Sequence, residues 1–281
     1  MTFYQKLSAI IKKQHTLLCV GLDSDFEKLP KHLKNKKNPQ FLFNKAIIDA
    51  THDLVCAYKP NTAFYEARGA EGIEDLYKTC QYLQKHYPEI VIIIDAKRAD
   101  IGNTNNGYAE FVFDYFRGDA VTLHPYLGQE AIQPFLDRKD KGSIILCRTS
   151  NKGAGEFQDL AINNKPLYQI IAKQVVNKWN ANHNCGLVAG ASYPEELKKI
   201  RRLAPNLPLL IPGIGAQGGD VEKTVKAGVD EKGGNAIINA SRSIIFAGND
   251  KDFAKSARIE AEKLRDQINS IRINSVRKGV K

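Results

Sequence analysis

Long apolar runs are missing from this 281-residue sequence, which argues against a membrane protein. The run Ile90–Ile94 is among the longest, whereas a membrane-spanning helix needs roughly 20 apolar residues. Near the start, Leu7, Ile10 and Ile11 stand at helical spacing between lysines, without the apolar core or the small-residue cleavage site of a signal peptide. We therefore expect a cytoplasmic protein with no membrane partner.

Cysteine is scarce, and its copies form no recognisable pattern. The five cysteines are odd in number and include no CxxC pair. Four of them, Cys19, Cys56, Cys147 and Cys185, lie in or beside apolar strand candidates. The pattern predicts buried, reduced thiols rather than disulfides, metal ligands or a nucleophile.

Nucleotide-binding fingerprints are also missing. The first strand candidate runs into GLDSDF at 21–26, and the sequence contains no glycine-rich Rossmann turn or Walker loop. A doubly wound open sheet is the alternative α/β architecture, but it would need such a turn after its first strand. The absence therefore disfavours that architecture.

Acidic residues are outnumbered, since 41 Lys and Arg against 31 Asp and Glu give a net charge of +10. The basic residues are dispersed, with small clusters at 34–37, 198–202 and 272–281. We interpret them as a solvated surface that attracts an anionic small molecule, and we expect no nucleic-acid partner. A noncatalytic binder of nucleotides or nucleic acid is the alternative from another functional class, and steep salt dependence of RNA or DNA binding would favour it.

Short apolar segments alternate with longer helical patterns along the whole chain, without a linker or a composition break. This alternation predicts a parallel sheet, and eight such units predict a single (β/α)₈ TIM barrel domain over residues 1–281. Helical patterns cover 41–52, 73–86, 106–116 and 167–180. The strand candidates are Leu17–Asp23, Leu54–Lys59, Ile90–Lys97, Ala120–His124, Ser143–Thr149, Cys185–Gly190, Leu207–Pro212 and Ala236–Ser241.

Polar residues follow nearly every strand candidate, and in a barrel these positions surround the active site. Two lysines and two aspartates among them indicate an anionic substrate. The ends carry Asp23, Lys59 with Asn61, Asp95 with Lys97, His124, Thr149 with Ser150, Ser192, Gly213–Gly219 and Ser241 with Arg242.

The segment DAKRAD at 95–100 carries the densest charge at a strand end. Asp95 and Lys97 are two residues apart, so their side chains are expected on the same face of the strand, with Asp100 shortly after. A lysine between two carboxylates is typical of a tuned catalytic site. The alternative is an ion pair that merely caps a buried strand.

The ends of the seventh and eighth strands favour a phosphate site. PGIGAQGGD at 212–220 contains four glycines that let backbone amides approach a ligand, and Gln217 adds a side-chain amide. Arg242 leaves the eighth strand, where its guanidinium can bind phosphate through two hydrogen bonds. Barrels often bind phosphate at this position.

Seven ordered motifs resemble the orotidine 5′-phosphate decarboxylase family, specifically its longer bacterial type 2 subgroup. The DxKxxD core is shared with the wider barrel group that includes hexulose-phosphate synthase, whereas KPNTAFYE and GIGAQGGD favour the decarboxylase. Lys152 stands where a proline is common in the family. The motifs are LLCVGLD at 17–23, YKPNTAFYEARG at 58–69, DAKRADIGNTN at 95–105, DAVTLHPYLG at 119–128, RTSNKGAGEFQDL at 148–160, IPGIGAQGGD at 211–220 and NASRSIIFA at 239–247.

The resemblance implies cofactor-independent conversion of orotidine 5′-phosphate to uridine 5′-phosphate and CO₂, the last step of de novo UMP synthesis, with no metal. It implies that Lys97 protonates the carbanion at pyrimidine C6 and that Asp95 lies near the departing carboxylate. It also implies a homodimer in which Asp100, Ile101 and Thr104 of one subunit reach into the active site of the other.

The remaining implied roles concern charge and binding. Lys59 and Asp100 would complete the charged network around Lys97, and Asp23 would bind the ribose hydroxyls. The other implied contacts are Ser150 with the pyrimidine edge, and Gln217 and Arg242 with the phosphate.

Elementary chemistry agrees with these roles. The carbanion left by orotate has no adjacent carbonyl to delocalise it, so a protein without a cofactor must supply a fixed positive charge and a proton donor. We also predict a mobile flap over the pyrimidine at 151–165, ordered by ligand. A metal-dependent aldolase or decarboxylase of a sugar phosphate is the alternative enzyme, and loss of activity with a chelator would favour it.

Overall fold

Eight parallel strands form a closed barrel in the computed structural model, which describes residues 1–215 and 218–279, with side chains up to residue 273. Each strand pairs with the next in sequence, and the last pairs with the first. The predicted TIM barrel is therefore confirmed. Its strands are β1 (Leu18–Gly21), β2 (Ala57–Lys59), β3 (Val91–Arg98), β4 (Ala120–Leu123), β5 (Gly142–Arg148), β6 (Cys185–Ala189), β7 (Leu209–Pro212) and β8 (Ala236–Ala240).

Helices surround the barrel and cover its outer face. Short 3₁₀ turns lie at Phe26–Lys28 and Lys152–Ala154, and π-helical turns at Phe111–Tyr115 and Val175–Trp179. The α-helices are Phe3–Gln14, Lys31–Lys34, Pro39–Thr51, Ala63–Glu66, Gly69–His86, Thr104–Glu110, Gly128–Leu136, Gly155–Gln158, Leu167–Gln174, Pro194–Leu203, Val221–Gly228, Arg242–Ile245 and Phe253–Gly279. None of the helices within the described ranges is long and apolar enough to cross a membrane.

The strands are buried on both faces, which explains why they form continuous apolar runs in the sequence. The first six residues of β3 are all buried, between the barrel interior and the surrounding helices. All five cysteines are free and buried, as predicted. The last helix packs Phe253, Ala257, Ala261 and Ile268 into the same core.

The first helix closes the barrel at the amino-terminal ends of its strands. Thr2 caps this helix through a reciprocal pair of hydrogen bonds with Gln5, and Phe3 is buried beneath the barrel. The Lys6 ammonium bonds the Asp119 carboxylate at 2.6 Å, and that carboxylate accepts a 2.8 Å hydrogen bond from the Ile92 amide. The carboxyl ends of the strands are left as the open end.

Candidate active site

A cavity of about 410 Å³ lies at the carboxyl ends of the barrel strands. This volume is within the range of small-molecule sites. One part of its wall is apolar, formed by Leu146, Val188, Leu210, Pro212 and Ile214. The other part is polar and comprises Asp23, Lys59, Asn61, Asp95, Lys97, Thr122, Thr149, Ser150, Asn151, Gln158, Asn239, Ser241 and Arg242.

Asp95 lies between two lysines at the bottom of this cavity. Its Oδ2 accepts a hydrogen bond from Lys59 Nζ at 2.8 Å, and its Oδ1 accepts one from Lys97 Nζ at 2.7 Å. The Thr122 hydroxyl donates a third hydrogen bond to Oδ1 at 2.8 Å. The carboxylate is thus fixed by three donors from β2, β3 and β4.

Burial and charge act in opposite directions on these groups. Burial disfavours the ionised carboxylate, but the two ammonium groups outweigh it and hold the pKa of Asp95 below its usual range. Burial likewise disfavours the Lys59 ammonium, yet Asp95 and Asp23 raise the pKa of Lys59 above its ordinary value. Both groups therefore stay charged at neutral pH.

The backbone of β3 is irregular at the site. Its pairing with β4 shifts between Ile94 and Arg98, so that four steps along β3 oppose two steps along β4. Lys97 lies in the left-handed region at φ 46°, which a residue with a side chain adopts only at a cost of roughly 1 kcal/mol. Asp95 and Lys97 do meet in the cavity as expected, but through this bulge rather than regular alternation.

Asp23 supplies a second carboxylate beside Lys59. Its Oδ1 lies 3.9 Å from Lys59 Nζ and has no hydrogen-bond partner among the described residues, although it is buried. An unsatisfied buried acceptor on a cavity wall is suited to accept a hydrogen bond from a ligand hydroxyl. The residue thus occupies a position compatible with ribose binding.

The loop after β7 is built for close backbone approach. Gly213, Gly215 and Gly218 have φ values of 106°, 78° and 78°, which only glycine adopts readily. Gly213 and the start of the helix at Arg242 both line the cavity. Gln217, the other predicted phosphate ligand, lies outside the described residues.

The segment after β5 contains local structure that the sequence did not predict, including a two-stranded hairpin at 161–162 and 165–166. Two contacts hold its first part against the strand end. The Arg148 guanidinium donates two hydrogen bonds to the Asp159 carboxylate, at 2.9 and 3.0 Å, and the Thr149 amide donates to Gln158 Oε1 at 2.8 Å. Ser150, predicted to bind the pyrimidine, lines the cavity beside them. Mobility of this segment stays a prediction.

Asp100 and Thr104 do not join this cavity. Asp100 Oδ1 accepts a 2.7 Å hydrogen bond from the Ile101 amide, and its own amide donates to Asn105 Oδ1 at 2.9 Å. Ile101 is 62% exposed and Thr104 is exposed at the start of a helix. Within one chain, therefore, Asp100 does not complete a charged network around Lys97.

Four polar lining residues were not among the predicted strand-end residues: Thr122, Asn151, Gln158 and Asn239. Thr122 lies within an apolar strand and Gln158 within the predicted flap, so neither immediately follows a strand. Two predicted strand-end residues, His124 and Ser192, are not part of the described cavity wall. The strand-end rule found the charged residues, which are concentrated where the strands reach the open end of the barrel, whereas Thr122 and Asn239 each lie one residue before the end of a strand.

Comparison with known proteins decides the family. The model of the orotidine 5′-phosphate decarboxylase / HUMPS family matches residues 16–257. The chain belongs to this family. The resemblance of the sequence motifs is thereby confirmed, and the family is hereafter called the OMP decarboxylase family.

Individual members of the OMP decarboxylase family match over almost the whole chain. Orotidine 5′-phosphate decarboxylase from Janthinobacterium sp. is 50% identical over 269 residues, which cover 96% of this chain and 98% of the relative. The enzyme of the same name from Cellvibrio japonicus is 48% identical over 274 residues, which cover 97% of this chain and 100% of the relative. Both are bacterial, in agreement with the predicted subgroup.

Solved structures give the same result for the fold. OMP decarboxylase from Leishmania donovani is 36% identical, with a TM-score of 0.86 over 97% of this chain and 100% of that one. A putative orotidine-monophosphate decarboxylase from Toxoplasma gondii is also 36% identical. Its TM-score is 0.88, and the match covers 98% of this chain and 99% of that one. The barrel described above is therefore that of the OMP decarboxylase family.

Proposed function

We propose that this protein decarboxylates orotidine 5′-phosphate to uridine 5′-phosphate and CO₂, as the last step of de novo UMP synthesis. The family and the names of relatives about half identical to this chain support the reaction. The observation that carries the chemistry is the Lys97 ammonium bound to Asp95 at 2.7 Å in the cavity. We propose that the chain acts as one barrel domain over 1–281 in the cytoplasm, without a cofactor and without nucleic acid.

Lys97 is the proton donor in this proposal. Its side chain is 48% exposed, whereas that of Lys59 is only 4% exposed and is buried behind Asp95. Lys97 can therefore reach a ligand, while Lys59 keeps the carboxylate ionised. When CO₂ leaves, the electron pair stays on C6, a proton moves from Lys97 Nζ to C6, and the neutral amine regains a proton from solvent.

Asp95 contributes by electrostatics. In the proposal its ionised carboxylate lies near the departing carboxylate of the substrate and holds the ammonium of Lys97 at the position where negative charge develops. A charge that is fixed before the reaction needs no reorganisation when the transition state forms. Such electrostatic preorganisation is usually the largest catalytic effect. Both oxygens of Asp95 accept hydrogen bonds, from three donors in all, in keeping with such a fixed group.

The remaining residues would bind the two polar ends of the nucleotide. Arg242 and Gln217 would bind the phosphate beside the glycine-rich loop after β7, while Asp23 would accept hydrogen bonds from ribose hydroxyls. Ser150 would bind the pyrimidine edge across the cavity. The location of Asp23, Ser150 and Arg242 around one cavity supports this arrangement.

A homodimer would complete the site. We propose that Asp100, Ile101 and Thr104 of one subunit reach the cavity of the other, where Asp100 would add a second carboxylate next to Lys97. The exposure of Ile101 and Thr104, and their absence from the wall of their own cavity, support this proposal.

Product analysis tests the reaction. Purified protein is incubated with orotidine 5′-phosphate in the presence of a chelator, and the nucleotide is identified by chromatography and mass spectrometry. Stoichiometric uridine 5′-phosphate and CO₂ are expected. Unchanged substrate would contradict the proposal. Turnover of a sugar phosphate that disappears with chelator would support the metal-dependent alternative instead.

A further inference from the structure

The Thr122 hydroxyl connects the two ends of Lys97. It accepts a hydrogen bond from the Lys97 amide at 3.0 Å and donates one to Asp95 Oδ1 at 2.8 Å. Asp95 Oδ1 in turn accepts a hydrogen bond from Lys97 Nζ at 2.7 Å. The main chain and the ammonium of one lysine are thereby joined through a single chain of hydrogen bonds.

The direction of this chain follows from the donors available. A backbone amide can only donate, and an ionised carboxylate can only accept. The Thr122 hydroxyl must therefore accept a hydrogen bond from the Lys97 amide and donate one to the Asp95 carboxylate. Thr122 is 1% exposed, so its hydroxyl has little access to bulk water.

The amide of Lys97 needs this acceptor because the strand is irregular. Between Ile94 and Arg98 the pairing of β3 with β4 is interrupted, and Lys97 is in the left-handed region. A main-chain amide that has left the ladder needs another acceptor, and a strained backbone persists only where its surroundings hold it. The hydroxyl of Thr122 provides such a contact from the neighbouring strand.

We propose that Thr122 is a positioning residue that aims the ammonium of Lys97 at the reacting carbon. The inference rests on the proposed function of Lys97 as proton donor. Lysine has a flexible four-carbon stem, so an ammonium at a cavity wall is aimed only if both its backbone and its charged end are held. Thr122 holds the backbone directly and the charged end through Asp95.

A hydroxyl at this position is the property to be tested. Thr122→Val keeps the shape of the side chain and removes both hydrogen bonds, whereas Thr122→Ser keeps both. Ser143→Ala is the matched control, because Ser143 is a fully buried barrel residue whose hydroxyl has no partner among the described residues. It removes a buried hydroxyl from the neighbouring strand β5 without touching the cavity.

We expect Thr122→Val to lower kcat by about 10- to 100-fold, since displacement of a catalytic group by about 1 Å can cost a factor of 100. KM and the Kd for uridine 5′-phosphate should change by less than about 3-fold, because Thr122 is not assigned a contact with substrate. Thr122→Ser should recover most of the rate, and Ser143→Ala should match the wild type. Thermal unfolding checks that each variant is folded.

Two results would overturn the inference: a wild-type kcat in Thr122→Val, or a loss in Thr122→Ser as large as in Thr122→Val. If Thr122→Val is not folded, Thr122→Ala is subject to the same comparison. A silent wild type would instead contradict the proposed function. In that case a crystal structure of the folded Thr122 variant tests the positioning role by itself. If Lys97 keeps its positive φ and its Nζ still bonds Asp95 in the variant, Thr122 is not a positioning residue.

Discussion

Lys59 and Lys97 bind different oxygens of the same carboxylate, and they differ in their access to the cavity. Lys59 is almost fully buried, whereas half of the Lys97 side chain is exposed. Asp95 therefore lies between Lys59, which keeps the carboxylate ionised, and Lys97, which can contact a ligand. This division of roles underlies the predictions below.

Asp95 should stabilise the folded protein at neutral pH. Its removal in Asp95→Asn leaves two cations without their shared counter-ion, which should lower the free energy of unfolding by about 3 kcal/mol. Because the pKa of Asp95 is lowered in the folded state, this stabilisation is present above the unfolded pKa, about 4 for aspartate, and is lost as the pH falls through the folded value. Urea unfolding of both proteins between pH 7 and pH 3 measures it.

The difference between the wild type and Asp95→Asn should shrink in acid. A difference that stays constant over this range would contradict the lowered pKa. A variant that is as stable as the wild type at neutral pH would show that the lysines do not depend on this carboxylate.

Arg242 should recognise the phosphate. Loss of a charge-assisted hydrogen-bonding group costs roughly 1.5 to 3 kcal/mol, so Arg242→Ala should weaken uridine 5′-phosphate binding by about 10- to 150-fold. Binding of uridine, which has no phosphate, should be unaffected, and calorimetry with both ligands measures the two values. An equal loss for both ligands would place Arg242 away from the phosphate.

Asp100 and Lys97 should act on the same site from different subunits. Lys97→Ala and Asp100→Ala are each expected to be nearly inactive, but a 1:1 mixture refolded together should regain activity. With random pairing in a twofold dimer, half of the dimers are hybrids with one intact site out of two, so about a quarter of the wild-type activity is expected.

Mixing the two inactive proteins without refolding is the control for this experiment. If refolded mixtures stay as inactive as the separate proteins, Asp100 works within its own chain or not at all. Light scattering of the wild type establishes whether it is a dimer.

Arg201 should contribute to stability and not to catalysis. It is buried and is not part of the described cavity wall, and its guanidinium donates to the carbonyls of Gly228, Ala204, Leu207 and Asn235 at 2.6 to 2.9 Å. Arg201→Met removes these four hydrogen bonds to main-chain carbonyls and should lower the free energy of unfolding by about 3 kcal/mol. Arg202→Met, at an exposed neighbouring position, should not. A variant of Arg201 as stable as the wild type would contradict this interpretation.

Much of the barrel was predictable because each strand is a short apolar segment followed by polar residues. All eight strand candidates overlap a barrel strand within a few residues. The hairpin at 161–166 was missed because it packs no continuous apolar run into the core, and its four strand residues are exposed or half-buried. Local pattern predicts buried elements better than exposed ones.

The site was predictable in its charges but not in its geometry. Regular alternation predicted that Asp95 and Lys97 share a face, and the two do meet in the cavity. They meet through a bulge instead, in which the Lys97 amide donates a hydrogen bond to Thr122 of the next strand. A contact between residues 25 positions apart leaves no local signal in the sequence. Asp100 follows the same motif but leaves the cavity, because the chain turns away after β3.

Turnover of orotidine 5′-phosphate by Lys97→Ala tests the central claim most directly. The ultraviolet absorbance of the substrate is followed with the wild type, with Lys97→Ala and with Lys226→Ala, a lysine in an exposed surface pair, all in chelator. The account predicts rapid loss with the wild type and Lys226→Ala, and a rate at least about 1,000-fold lower with Lys97→Ala. A rate for Lys97→Ala within a few-fold of the wild type would contradict the role of Lys97 as proton donor.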